Sequence, residues 1–176
     1  MISEVIKKNG ITYGIILGIV LALITATMYA IDLKLFVSGW ITAVKVVIYL
    51  AISILALSKT KKELGNIFPF KSAFTTCFIT VLVGILIATL FDIILFNFVD
   101  PGAKETLSDI VVKSTVEFMQ KLGTPASAIN DAIAKMKETN NFDTLQILKG
   151  TIFVIIIGAI FSLIMAAFFK SKTTQE

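Results

Sequence analysis

The sequence predicts an all-α polytopic membrane protein, with four transmembrane helices and a two-helix amphipathic extracytoplasmic insert between the third and fourth. Four apolar stretches carry that reading: Asn9–Ile31, Leu35–Ser58 interrupted once by Lys45, Ser72–Phe91 and Gly150–Phe169. The three unbroken ones hold 23, 20 and 20 uncharged residues, and a hydrocarbon core about 30 Å thick needs roughly 20 helical residues at about 1.5 Å each. Composition agrees. With 56% hydrophobic and 16% charged residues and a mean hydropathy of +0.91, the chain has more apolar surface than a soluble domain of its length buries.

The charges sort by segment. The N-terminus, the 59–71 connection and the C-terminus hold eight lysines (Lys7, Lys8, Lys59, Lys61, Lys62, Lys71, Lys170, Lys172) against Glu4, Glu63 and Glu176, a net +5. The 32–34 turn and the 99–149 segment hold seven lysines against eight acids, a net −1, and Lys45 and Asp92 cancel to leave the total of +4. Short lysine-rich loops stay in the cytoplasm, so both termini are expected there, in a multi-pass protein of the bacterial inner (cytoplasmic) membrane. All 16 basic residues are lysines, histidine is absent and Cys77 is the one cysteine. A disulfide framework and a Cys/His metal site are therefore excluded, no cofactor is expected, and the lack of arginine argues against nucleic acid as a partner.

One membrane domain over 1–176 is expected, with spans at about 10–31, 36–58, 72–98 and 149–169. The first span follows Lys7 and Lys8 as a signal peptide does, but its apolar run exceeds the usual length of about 7–15 residues. Met28 also stands where a cleavage site needs a small residue, so the helix is expected to remain uncleaved. In this span Gly14, Gly18, Ala22, Ala26 and Ala30 recur every four residues and form a strip of minimal side chains. Such strips let helices approach closely in lipid. The third span repeats the device with Thr76, Thr80, Gly84, Ala88 and Asp92, and the fourth with Gly158, Ser162 and Ala166. In the second, Thr42, Lys45, Tyr49, Ser53 and Ala56 share a face. The strips serve packing within the bundle or, through the glycine pair, a homo-oligomer.

Lys45 and Asp92 are the candidate functional residues. Both sit on the small or polar strip of their helices, roughly 10–15 Å below the outer ends, so an intramembrane ion pair is geometrically open to them. Lys45 snorkelling to the outer headgroups, with Asp92 in the interface, is the competing arrangement, and a proton or ion relay is a third.

The hairpin, about 100–140, opens on Asp100 and Pro101 as N-cap and first-turn proline. Leu107, Ile110, Val111, Phe118, Met119 and Leu122 then recur near helical spacing up to a stop at Gly123. Thr124 and Pro125 start a second helix with Ile129, Ile133 and Met136 as its stripe, and Asn140 and Asn141 end it. Acid-to-lysine pairs four apart are expected at Asp109 and Lys113, Glu117 and Lys121, and Asp131 and Lys135. About 50 residues make no independent core, so the stripes pack together, lie on the membrane or receive a partner. Between the second and third spans, Lys59–Lys71 mixes lysines with Leu64, Ile67, Phe68 and Phe70, a composition suited to an anionic leaflet.

Several of these features occur together in one known group. Tyr13, Gly14 and Gly18 open the first span, and a lysine-rich connection runs into an aromatic before the third, over Lys59–Phe74. Asp100 and Pro101 follow that span, and the last one ends in Ala166, Ala167, Phe168, Phe169 and Lys170. In this the chain resembles, over nearly its whole length, the bacterial membrane family called domain of unknown function 4199. The resemblance implies a four-helix protein of a Gram-negative inner membrane without an established activity, and supplies no catalytic residues.

Three functional classes follow. A structural or partner-binding adaptor, in contact with membrane lipid and an unidentified membrane or periplasmic protein, accounts for every feature. An oligomeric small-solute or ion transporter or channel would line a path with Lys45, Asp92, Tyr49 and Asn97. An enzyme is not expected, since Ser53, Ser162 and Cys77 have no base nearby in the pattern, and Cys77 reads as a packing residue.

Overall fold

A computed structural model describes residues 3–171, so Lys172 and Glu176 of the charge count lie outside the described residues. The described residues form helices α1 (Glu4–Ile31), α2 (Gly39–Glu63), α3 (Phe70–Ile94), α4 (Pro101–Lys121), α5 (Ala126–Glu138) and α6 (Thr144–Phe169). No strand occurs among them. The helices α1, α2, α6 and α3 with its extension to Val99 are each long and apolar enough to cross a membrane.

Helices outrun the uncharged windows because charged residues at the ends of a span reach water without leaving the helix. Thus α1 begins at Glu4, α2 continues through Lys59, Lys61 and Lys62, and α6 begins at Thr144. The start of α2 is later than expected. Asp32 stops α1 in extended geometry, its side chain accepts from Lys34 N at 2.8 Å, and a 3-10 turn over Leu33–Val37 intervenes before Gly39. The helix ends at Glu63 on a left-handed Gly65 (φ 67°) and Asn66 (φ 65°). Gly65 N bonds Lys62 O and Asn66 N bonds Lys61 O, the Schellman pattern that satisfies orphan carbonyls. Gly123 (φ 71°) ends α4 in the same way, with Gly123 N on Gln120 O and Thr124 N on Met119 O.

The spans alternate in direction, and α3 is the hub. It packs most extensively on α1, then on α6, and α2 rests against both α1 and α3. A Cβ on Gly10, Gly14 or Gly18 would stand 2.8 Å from Ile79 Cγ2, 2.6 Å from Val83 Cβ and 2.5 Å from Ile87 Cβ respectively. Both numberings rise together, so α1 and α3 run parallel in backbone proximity. From the other side, a Cβ on Gly84 would meet Leu17 Cδ2 at 2.6 Å. Gly158 brings α6 onto Val81 in the antiparallel sense. The predicted strip on α1 drifts. Ala22 and Ala26 are half-buried and Ala30 is exposed, while Leu21, Thr25 and Met28 are buried. Steps of four residues advance by 400°, so a five-member row swings off the contact face, whereas steps of three and four stay on it. On the partner helices Thr76, Thr80, Gly158, Ser162 and Ala166 are buried and Ala88 is half-buried. The hydroxyls of Thr76, Thr80 and Ser162 bond carbonyls one turn back, so they pack without needing a partner helix.

Polar clamps close both ends. At the lysine-rich end Asn9 Nδ2 donates to Glu63 Oε2 at 2.8 Å and Lys61 Nζ to Phe169 O at 3.2 Å. Ser171 Oγ accepts from Phe68 N at 2.8 Å and donates to Asn66 O at 2.6 Å. Phe68 is fully buried beside Leu57, Ala73 and Cys77, so this part of the 59–71 connection belongs to the core instead of to a leaflet surface. At the other end α3 closes with a π-helical turn over Leu95–Val99. There Leu95 and Phe96 bury with Ala103 and Leu107 of α4, and Phe96 packs edge-on against Phe36 with ring centroids 5.6 Å apart.

Asp100 hooks α4 onto the bundle. Its Oδ1 accepts from Ala103 N at 2.9 Å and its Oδ2 from the Tyr29 hydroxyl at 2.8 Å. Lys104 Nζ reaches Asp143 Oδ1 at 2.7 Å, tying the start of α4 to the start of α6. Two sequence expectations fail here. The ion pairs within 4.0 Å among the described residues are Lys104 with Asp143 and Lys59 with Glu63, so the three spaced pairs on α4 and α5 do not close. Wet lysine side chains gain too little from such pairs to be held in one geometry. Thr124 also does not cap α5, whose first turn follows Pro125 with no side-chain cap.

Two predictions follow from this packing. Gly84→Leu drives a side chain into Leu17 and lowers stability by about 1–3 kcal/mol, read as a shifted SDS or thermal unfolding midpoint, while Gly39→Ala, which faces open space, changes it little. The Ala103 amide and, after it, the Tyr29 hydroxyl hold the Asp100 carboxyl below its ordinary value. The hook is therefore complete above the unfolded carboxylate pKa of about 3.9 and is lost as pH falls through the lower folded value. Hydrogen-exchange protection at Ala103 stays flat near neutrality and drops in acid, and Asp100→Ala removes it at every pH.

Candidate functional site

Because α3 takes α1 and α6 on opposite flanks, α2 and α6 do not pack extensively on each other. A cleft floored by α3 remains between them. Lys45 enters it from α2, six residues after Gly39, and Asp92 from α3, seven residues before Val99. The helical rise puts both about 9–10 Å inside their ends. Each is half-buried, and both line one cavity of about 360 Å³ together with Thr25, Tyr49, Thr89 and Thr151. The walls are completed by apolar residues including Leu21, Ile85 and Val154.

The expected ion pair does not close, since Lys45 and Asp92 do not come within 4.0 Å of each other. Lys45 lines the cavity from its α2 wall and Asp92 from its α3 floor. Asp92 Oδ1 and Ser53 Oγ are the side-chain polar atoms among the described residues that are buried without a hydrogen-bond partner. Most buried polar atoms are paired, so Asp92 stands out as a cavity-lining carboxylate with one oxygen enclosed and without a partner. Thr89 Oγ1 and Thr151 Oγ1 are 3.0 Å apart, a hydrogen bond between α3 and α6 at the cavity wall.

Towards the lysine-rich end the cleft continues as a second cavity of about 220 Å³, apolar throughout, lined by Val46, Val81, Ile157, Gly158 and Phe161. Tyr49, Ile85 and Val154 line both chambers. The family described as "Protein of unknown function (DUF4199)" matches residues 12–171. The chain belongs to the DUF4199 family. No curated protein and no solved structure matches it.

The DUF4199 match runs from the third turn of α1 to Ser171 at the lysine-rich clamp, and so includes the cleft and both of its charges. In this DUF4199 chain Asn97, expected on a polar path, lies elsewhere. Its Nδ2 donates to Phe142 O at 3.1 Å and Ile93 O at 3.3 Å, which fastens α3 to the turn before α6. Cys77 is buried in the core beside Leu57 and Val81. Thr25, Thr89 and Thr151 escaped sequence reasoning. A threonine is common in apolar helices, and only its phase relative to Lys45 and Asp92 separates a cavity wall from a packing face.

Chemically the polar chamber offers an ammonium donor, a carboxylate acceptor and a phenol in surroundings of low dielectric, with formal charges that sum to zero. Lys45→Met leaves Asp92 as the lone charge at the cavity and lowers the unfolding midpoint in detergent. Asp92→Asn in that background recovers part of the loss, because an unpartnered charge is worse than none. Strictly additive losses in the double-mutant cycle would show that the two charges do not sense each other.

Proposed function

We propose that this DUF4199 protein is a structural, partner-binding adaptor of the bacterial inner membrane and not an enzyme. Both termini lie in the cytoplasm, and the α4–α5 hairpin stands in the periplasm. The charge partition supports that orientation, since the lysine-rich ends and the 59–71 connection cluster at one end of the bundle.

The observation that carries the adaptor reading is the way α4 is held. Its first two turns are fixed by Asp100, Lys104 and Leu107, whereas Phe118 and Leu122 at its far end are 62% and 67% exposed. A helix fixed at its start, packed on the Leu33–Val37 turn and on α5, and apolar and exposed at its far end presents that contact without paying the cost of ordering a loop. The partner is a protein with an apolar patch just outside the membrane. A photo-crosslinking residue placed at Phe118 in cells gives one defined protein adduct, and Leu122→Lys abolishes it. Adducts to lipid alone defeat this reading. An impermeant thiol reagent labels Lys121→Cys and spares Lys61→Cys, and the reverse pattern overturns the orientation.

A second reading, an oligomeric ion or small-solute transporter, draws on the two charges at one intramembrane cavity. It requires flux into liposomes that Asp92→Asn abolishes.

A further inference from the structure

The two chambers between α2 and α6 have the form of an amphiphile. We propose that the cleft binds a membrane-soluble molecule with one hydrocarbon tail and a net-neutral, hydroxyl-bearing head, the chemistry shared by isoprenoid quinols and by monoacylglycerols. This inference goes beyond the adaptor reading and does not depend on it.

The head chamber sets the charge of its ligand. Lys45 and Asp92 both line a chamber of about 360 Å³, a volume within the range of small-molecule sites. A cationic or anionic head would meet one favourable and one unfavourable charge, and would also lose its hydration at this depth. Trp40, 75% exposed near the start of α2, marks the level where amphipathic aromatic rings meet the headgroups. Lys45 lies about 7–8 Å further in by the helical rise. A neutral head needs no such rehydration. An oxygen of the head accepts from Lys45 Nζ, and a hydroxyl donates to the Asp92 carboxylate, which lines the chamber.

The tail chamber sets the rest. It is continuous with the head chamber at Tyr49, Ile85 and Val154, and it is lined by hydrocarbon. Asp92 and Val81 of α3, at the two extremes, are separated by about 16 Å along the helix. Val46, Val154 and Ile157 on its rim are about half exposed, so the trough opens sideways, where lipid would stand, and a tail enters without crossing the bundle. A helix from another protein laid in the same gap would fill the trough but bring apolar side chains to Lys45 and Asp92, leaving both without partners.

The test uses the full chain in nanodiscs with two photoactivatable probes, a diazirine-tailed prenyl quinol kept reduced and a diazirine-tailed monoacylglycerol. The expected result is saturable labelling mapped to the stretch 154–161 of α6 and to α2 near Val46. It is competed by the unlabelled molecule of one class, which identifies the source. Lys45→Met and Asp92→Leu each weaken retention about tenfold, the loss of one hydrogen bond to a charged group. Ile157→Trp, at a half-exposed rim position outside the core, blocks the tail while leaving the unfolding midpoint unchanged. The proposal is overturned by labelling that does not saturate, by equal competition from phosphatidylglycerol or phosphatidylethanolamine, or by indifference to Ile157→Trp.

Discussion

Lipid gives no hydrophobic reward for pressing one apolar helix against another, so the bundle depends on how closely two backbones can approach. The parallel contact of α1 with α3 supplies that closeness. Gly10, Gly14 and Gly18 let the side chains of Ile79, Val83 and Ile87 and the backbone carbonyls of Thr76, Thr80 and Gly84 close onto the α1 backbone, and Gly84 receives Leu17 in the same way. Dispersion contacts accumulate along three turns of both helices without any polar group to be matched across the interface. Parallel neighbours in a chain that alternates direction must be spans of like parity, here the first and third. The placement of α2 follows, because it has to carry the chain back between them and settles against the seam they form.

The same contact explains why a cleft exists. With α1 on one flank of α3 and α6 on the other, α2 cannot also pack along α6. A closed bundle would have filled the gap with interlocking side chains. Here the floor is α3, and the walls carry Lys45, Tyr49 and Thr151, residues that would be costly against hydrocarbon but are tolerable around a cavity. The end clamps hold the opening at a set width, since Lys61 with Phe169 O ties α2 to α6 below it. Lys104 with Asp143 and Asn97 with Phe142 O anchor the start of α6 above it.

The four apolar helices and the family were legible in the sequence because hydropathy over 20 residues is a strong signal and the match covers almost the whole chain. The packing faces were legible in part. Gly14, Gly18 and Gly84 announce a close approach by composition, but a row of four-residue steps hides the drift that exposes Ala30 and buries Met28. The clamps were illegible for a different reason. Asn9 with Glu63, Tyr29 with Asp100 and Phe68 with Ser171 are 54, 71 and 103 residues apart, and nothing local distinguishes their members from ordinary interface residues. The placement of Lys45 and Asp92 at a common depth could be counted from helix ends. Whether they touch could not, since that rests on the spacing of α2 from α3.

An intramembrane charge pair held apart is a different object from a salt bridge. A closed pair satisfies itself and contributes little beyond offsetting its own desolvation. In the cleft, Asp92 keeps one oxygen without a partner and Lys45 faces open volume, so each retains hydrogen-bonding capacity that the fold does not use. Leu21 and Thr25 of α1 line the same cavity, set at that depth by the glycine contact that fixes α1 against α3. The glycines that bind the bundle together and the charges left unpaired within it are thus consequences of one register.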